Sequence, residues 1–170
     1  MMKLVRPDVA YQTSYISAMR EFKAEGLANY TDLDLEIMDN DFADYVRNLL
    51  MREHTVPAGW VTETVMWGVG EGGFIGRIAF RHHLTESLRQ FGGHIGYDVR
   101  PSRRKEGHGT AMLTQMLEVV RARGLDKVMI TCDQTNIGSQ KIIQANGGVL
   151  EDVIQNDFRP VPTMRWWISL

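Results

Sequence analysis

The sequence predicts an α/β sandwich, a mixed sheet covered by helices, built as a single domain over residues 1–170. Three observations predict it. Short runs rich in β-branched and aromatic residues alternate with helix-period segments from one end of the chain to the other. A strand, a glycine-punctuated basic loop and an amphipathic helix follow one another without a gap between residues 94 and 120. With 170 residues, 44% apolar and 24% charged, the chain can bury a sizeable core, and no repeat, low-complexity tract or linker divides it.

Taken in order, residues 3–6 read as a short strand stopped by Pro7 and Asp8. Residues 9–27 carry Tyr15, Ile16, Met19 and Phe22 at near-helical spacing, with Gly26 at the end. A second helix is expected over 35–53, its stripe formed by Phe42, Tyr45, Val46, Leu49 and Leu50. Residues 54–59 read as a loop. Residues 61–69 and 74–80 read as strands joined by the tight turn Gly70-Glu71-Gly72-Gly73. Residues 85–93 read as a polar linker and 94–99 as the strand that feeds the basic loop. The next helix sets Leu113, Met116, Leu117 and Val120 at i, i+3, i+4 and i+7, and Gly124 closes it. Residues 127–132 read as a buried strand, 136–148 as a short helix closed by two glycines. Residues 149–154 and 164–170 read as a final strand pair joined by 156–160.

The loop Arg103-Arg104-Lys105-Glu106-Gly107-His108-Gly109-Thr110 has the makings of an anion cradle. Glycines let the backbone approach a ligand, and the first free amides of the following helix point at it with the helix dipole behind them. Arg103, Arg104 and Lys105 add positive charge at the same turn. A dinucleotide fingerprint would need a third glycine where Met112 stands. A nucleoside-triphosphate loop would need Lys-Ser/Thr after its second glycine, and Thr110-Ala111 does not supply it, which leaves a kinase or reductase reading resting on the glycines alone.

The pattern Arg-x-x-Gly-x-Gly, here Arg104-Lys105-Glu106-Gly107-His108-Gly109, resembles the pyrophosphate loop of the GNAT N-acyltransferase superfamily. The run from Asn136 through Gly147 and Gly148 resembles that superfamily's second signature, in the expected order and separation. The resemblance implies a mostly antiparallel sheet flanked by helices, with acetyl-CoA in a cleft between the fourth and fifth strands. It implies that backbone amides from Arg104 to Thr110, through Lys105, Gly107, His108 and Gly109, cradle the pyrophosphate. Tyr97 and Val99 would pair with the pantetheine arm, and Asn136 and Ser139 would contact the arm or the nucleotide. Asn136 also suits plain helix capping. Two departures stand out: Lys105 holds a place where members often have glycine, and acidic Glu106 sits inside the loop and must point away from phosphate. Residues 81–101 and 165–168 further resemble a group of bacterial predicted acetyltransferases.

Acyl transfer from a thioester to an amine needs a base for the amine and help for the departing thiolate. Members often carry a tyrosine acid seven residues after the signature Asn, and that position is Ile143. Tyr97, Ser139 and Cys132 are the remaining candidates, or the thiolate leaves unaided. His94 is the first candidate base, at the start of the strand that should flank the thioester, with Glu63, His83 or a water relay as rivals. A non-catalytic acyl-CoA-binding or sensing domain is the competing class, motivated by Ile143.

Other classes are disfavoured. A net charge of −2 gives no basic excess for nucleic acid. His82 and His83 point to opposite faces of a strand and no Cys/His cluster has ligand spacing, so no metal is expected. One cysteine rules out an intramolecular disulfide framework, and no segment has the apolar length of a membrane span or a secretion signal, so a cytoplasmic protein is expected. The expected partner is a small-molecule or peptide amine, and a homodimer through exposed strands or the C-terminal end is compatible with the sequence.

Overall fold

The computed structural model describes residues 1–155 and 160–170, and the backbone alone of residue 28. In chain order the elements are β1 (Lys3–Val5), a 3-10 turn (Val9–Tyr11), α1 (Gln12–Ala24), α2 (Ala28–Thr31), α3 (Leu35–Asn40) and α4 (Phe42–Met51). Next come β2 (Glu63–Gly70), β3 (Gly73–Arg81), α5 (Glu86–Gln90), β4 (Ile95–Val99), a second 3-10 turn (Pro101–Arg103) and α6 (His108–Ala122). The chain ends with β5 (Lys127–Asp133), α7 (Ile137–Ala145), β6 (Val149–Ile154) and β7 (Thr163–Ser169). The α/β class is the expected one. Residues 156–159, expected to join the last two strands, lie outside the described residues.

Local chemistry explains where the elements depart from expectation. The first helix starts late because the Asp8 carboxylate caps the Val9–Tyr11 turn, accepting from the Ala10 amide at 2.8 Å. The single helix expected over 35–53 is two, broken at Asp41 (φ −105°, ψ 27°). Just before the break, the Gln12 side-chain amide donates to the Asp39 backbone carbonyl at 2.8 Å and ties it to α1. The polar segment 85–93 contains α5, capped by the Thr85 hydroxyl, which accepts from the Leu88 amide at 3.1 Å.

All five strand pairings among the described residues are antiparallel, and they fall into two sheets, β1-β2-β3-β4 and β5-β7-β6. Two apolar clusters cover the faces of the first sheet. On one face Val65, Trp67 and Ala79 pack against Tyr15, Met19 and Phe22 of α1 and Phe42, Val46 and Leu49 of α4. On the other, Ile78, Phe80 and Ile95 pack against Met112, Leu113, Met116 and Val120 of α6, and continue into Val128, Ile130, Trp166 and Ile168 of the second sheet. Each of these large side chains contributes on the order of 1.5–3 kcal/mol through burial. The shared second core holds the two sheets side by side even though no ladder joins β4 to β5.

Among the described residues, the hydrogen bonds across that junction lie at its base. The His94 amide donates to the Met129 carbonyl at 2.7 Å, and the Gly92 amide donates to the Thr131 hydroxyl at 2.8 Å. Gly93, at φ +60°, lies so close to β5 that a Cβ there would stand 2.6 Å from the Met129 carbonyl oxygen. Beyond these contacts β4 and β5 part company, and a cleft opens between them.

Candidate active site

The cleft has a volume of about 590 Å³. One wall is the outer half of β4, with Tyr97, Asp98 and Val99; another is α7 with Asn136, Ser139 and Lys141; its end is closed by the loop 103–110. The expected cofactor residues Tyr97, Val99, Arg104, Lys105, Gly107, His108, Gly109, Thr110, Asn136 and Ser139 all line this one cleft. Six further lining residues fall outside the expected set: Leu27, Asp98, Arg103, Gly138, Lys141 and Ile142. Nothing local in the sequence marks Leu27 or Asp98, which arrive from the turn between α1 and α2 and from the face of β4 opposite Tyr97.

The loop geometry is that of a helix N-terminus left open. Gly107, the residue before α6, is left-handed at φ +82°, and no side chain caps the helix. The first amide engaged inside the helix is that of Ala111, bonded to the Gly107 carbonyl at 3.1 Å. The amides of His108, Gly109 and Thr110 therefore remain as free donors at the positive end of α6. Gly109 serves a second purpose. A Cβ there would meet the Ile142 side chain at 2.5 Å, so the glycine lets α6 and α7 close the end of the cleft. Lys105 is left-handed too, at φ +65°, which explains why glycine suits that position and costs about 1 kcal/mol for a lysine.

Of the basic residues, two are already committed. Arg104 donates through Nε to the Val99 carbonyl at 3.0 Å and through both Nη atoms to Glu25, so its side chain acts as a strut between the loop, β4 and α1. Arg103 pairs with Glu106 at 3.2 Å. Glu106 also meets His108 Nε2 at 3.1 Å, is exposed and does not line the cleft. Arg103, and then His108, hold its carboxyl below the usual range. Lys105 and Lys141 line the cleft with no ion pair among the described residues, and stand as its uncommitted cations.

On the cleft wall the Tyr97 hydroxyl lies 2.7 Å from the Ser139 hydroxyl. Burial pushes the Tyr97 phenol well above the ordinary tyrosine value, and the Ser139 hydrogen bond only partly offsets this. Tyr97 is thus a protonated group at any working pH. Ile143 is fully enclosed in the core. Cys132, beside them on β5, is buried and its thiol is pushed up, mainly by desolvation. Asn136 caps α7 by accepting from the Ser139 amide at 3.0 Å while it lines the cleft, so the capping role and the lining role coexist.

His94 stands apart from the lining residues. It is 8% exposed, and its Nδ1 accepts from the Met129 amide at 2.9 Å. Desolvation, then the charges of Arg89 and Arg81, lower its pKa to about 4. Folding thus favours the neutral imidazole. The stabilisation is complete above the ordinary histidine value near 6.5 and is lost as pH falls from there through about 4. We expect denaturant titrations of the wild type to lose about 3 kcal/mol across that window from this group. His94→Leu should be less stable at neutral pH and show a flatter slope between pH 6.5 and 4.

The comparisons with known proteins follow the same lines. A family model of the acetyltransferase (GNAT) domain matches residues 17–149. No curated protein matches in sequence. Among solved structures, the acetyltransferase from Salmonella typhimurium that modifies the N-terminal serine of ribosomal protein L7/L12 superposes with TM-score 0.70 at 13% identity, over 99% of this chain and 95% of that one. Mycobacterium smegmatis RimJ, solved with CoA-disulfide, gives 0.71 at 18% identity, over 99% and 81%. The microcin C7 self-immunity acetyltransferase MccE, solved with acetyl-CoA and AMP, gives 0.72 at 12% identity, over 99% and 92%. At such identities the superpositions speak for the fold, whereas the family match covers most of the sequence itself: the chain belongs to the GNAT family of acetyltransferases.

Proposed function

We propose that this single-domain protein transfers an acetyl group from acetyl-CoA directly to an amine of a small molecule or peptide. The observation that carries the reading is the uncapped N-terminus of α6, whose free amides open onto the same cleft as Lys105 and Lys141. That donor set fits a pyrophosphate, since fixed amides at a helix N-terminus and flexible ammonium groups both favour multiply charged oxygen ligands. Similar folds support it: MccE holds acetyl-CoA, and a Salmonella typhimurium acetyltransferase, YncA, was solved with acetyl-CoA as its cofactor.

In this reading acetyl-CoA supplies the activated acyl group, and the chain supplies position and protons. The amides of residues 108–110 hold the phosphate end, while Tyr97, Val99, Asn136 and Ser139 line the route of the arm. Tyr97, protonated and fixed by Ser139, is the proton donor for the departing thiolate. His94 receives the proton of the amine only through water, because its Nδ1 is committed to Met129 and it does not line the cleft. We assign the protein to the cytoplasm, where its one free, buried cysteine remains reduced; no helix among the described residues is long and apolar enough to cross a membrane.

Calorimetric titration with acetyl-CoA, combined with thiol release in the presence of amines, tests the reading. Saturable binding with amine-dependent release of CoA is the expected result. Binding without release would identify a CoA-binding or sensing domain instead, and no binding at millimolar ligand would remove the cofactor assignment.

A further inference from the structure

The face of β4 opposite Tyr97 carries charges that the transfer of an acetyl group does not by itself require. Trp67, Arg77 and Asp98 stand in register across β2, β3 and β4, and their side chains share the face covered by α1 and α2. Arg77 Nε is buried without a hydrogen-bond partner, and the guanidinium makes no hydrogen bond among the described residues. Its nearest ionic neighbour is Asp98 Oδ2 at 3.8 Å, beyond hydrogen-bond reach. Both side chains are about a third exposed. A fixed cation and a fixed anion thus sit side by side, unbonded, at the edge of the cleft that Asp98 lines.

The surroundings keep both charges in place. The Tyr30 hydroxyl donates to Asp98 Oδ2 at 2.9 Å, and Oδ1 accepts no hydrogen bond among the described residues. Burial, and then the charge of Asp98, push the Tyr30 phenol up, which keeps it a donor. Further along the same face Arg81 donates through Nη1 to the carbonyls of Gly92 and Gly93. A Cβ at Gly96 would stand 3.7 Å from Arg81 Nη2, in ordinary van der Waals contact, so the guanidinium lies over the middle of β4. Arg77 and Arg81 thus bring two cations to this face, with Glu63 in register beside Arg81 and Asp98 in register beside Arg77.

We infer that the acceptor is an amine carrying an anionic group of its own, in chemical class an amino carboxylate, with Arg77 as the receptor for the anion and Asp98 for the ammonium. The inference rests on the acetyl-transfer reading above and narrows its acceptor. A carboxylate would supply the partner that Arg77 Nε lacks, in the two-point geometry that guanidinium favours. Asp98 would hold the ammonium on the β4 edge, on the opposite side of the strand from Tyr97, so that amine and thioester approach from the two faces. The site also discriminates: an acceptor without the anion leaves Arg77 Nε, the one buried nitrogen of that guanidinium without a partner among the described residues, unsatisfied.

The test compares the common amino acids with their own carboxamides as acceptors, alongside acetyl-CoA titration and thermal melting of each variant. The wild type should prefer the acids by roughly 10- to 100-fold in kcat/KM, the worth of one charge-assisted hydrogen-bonded contact. Arg77→Gln should reduce that preference to within a few-fold, chiefly by raising KM for the acids, with acetyl-CoA affinity unchanged. Arg77→Lys should recover part of it. Equal use of acids and amides by the wild type, turnover with neither, or an undiminished preference in Arg77→Gln would each overturn the inference while acetyl-CoA still bound. Absence of acetyl-CoA binding would instead sink the cofactor reading on which the inference rests.

Discussion

Gly93→Ala is expected to destabilise the protein by about 2–5 kcal/mol and to weaken acetyl-CoA binding with it. Two costs add at this position. The backbone is left-handed, φ +60°, which for a residue with a Cβ costs about 1–2 kcal/mol. The Cβ would also stand 2.6 Å from the Met129 carbonyl oxygen and 3.1 Å from the Ile130 Cα, backbone atoms that cannot swing aside. Forcing that contact costs a further ~1–3 kcal/mol and pushes β5 away from β4 at the point where His94 and Gly92 bond to it. Gly72→Ala is the matched control: its φ is +84°, but a Cβ there meets nothing within 4 Å, so only the backbone cost of about 1 kcal/mol applies. Thermal melting should separate the two variants by roughly 2–12 °C in a chain of this size. If Gly93→Ala melts with Gly72→Ala, the base of the cleft is not clamped where the contacts put it.

The parts of this fold that could be read from the sequence are those specified by short-range pattern. Leu113, Met116, Leu117 and Val120 announce α6 because a helix repeats over neighbours, and the glycine turn after β2 announces the hairpin with β3. The loop is legible for the same reason: Gly107 and Gly109 are needed within a few residues of each other for a left-handed turn and a close helix crossing. The break at Asp41 was not legible, because the group that takes the Asp39 carbonyl is Gln12, far away in sequence. Helix α5 was within reach, since Thr85 is a good N-cap residue ahead of Glu86, but polarity across 85–93 masked it.

The site divides along the same line. Tyr97, Ser139 and the loop follow from two local signatures, while the hydroxyl pairing of Tyr97 with Ser139 depends on β4 and α7 meeting across the cleft. Arg77 and Asp98 look like ordinary strand polars in sequence. Only the register of β3 on β4 brings them together, and only burial shows that Arg77 Nε lacks a partner. His94 illustrates the converse: a histidine at a strand start invites a catalytic reading, yet its environment is set by Met129 of a different sheet, through both its amide and its ring.

Tyr97→Phe should lower kcat by about 100- to 1,000-fold, the range for loss of a positioned general acid, and leave acetyl-CoA affinity within a few-fold of wild type. The position usual for such an acid is filled by Ile143, which is fully buried and has no proton to give. Tyr97 delivers a hydroxyl to the same helix from the opposite wall, 2.7 Å from Ser139 Oγ, four residues ahead of Ile143 on α7. Because burial raises its pKa, the phenol stays protonated, and the alkaline loss of activity due to this group lies above pH ~10. Ser139→Ala removes the hydrogen bond that fixes and partly lowers the phenol, so it should cost less, about 10-fold, and the double variant should be no slower than Tyr97→Phe alone. That non-additivity separates a shared proton-donating unit from two independent contacts with the arm, whose losses would multiply. A Tyr97→Phe enzyme with wild-type kcat would mean that the thiolate departs unprotonated, as its moderate acidity allows.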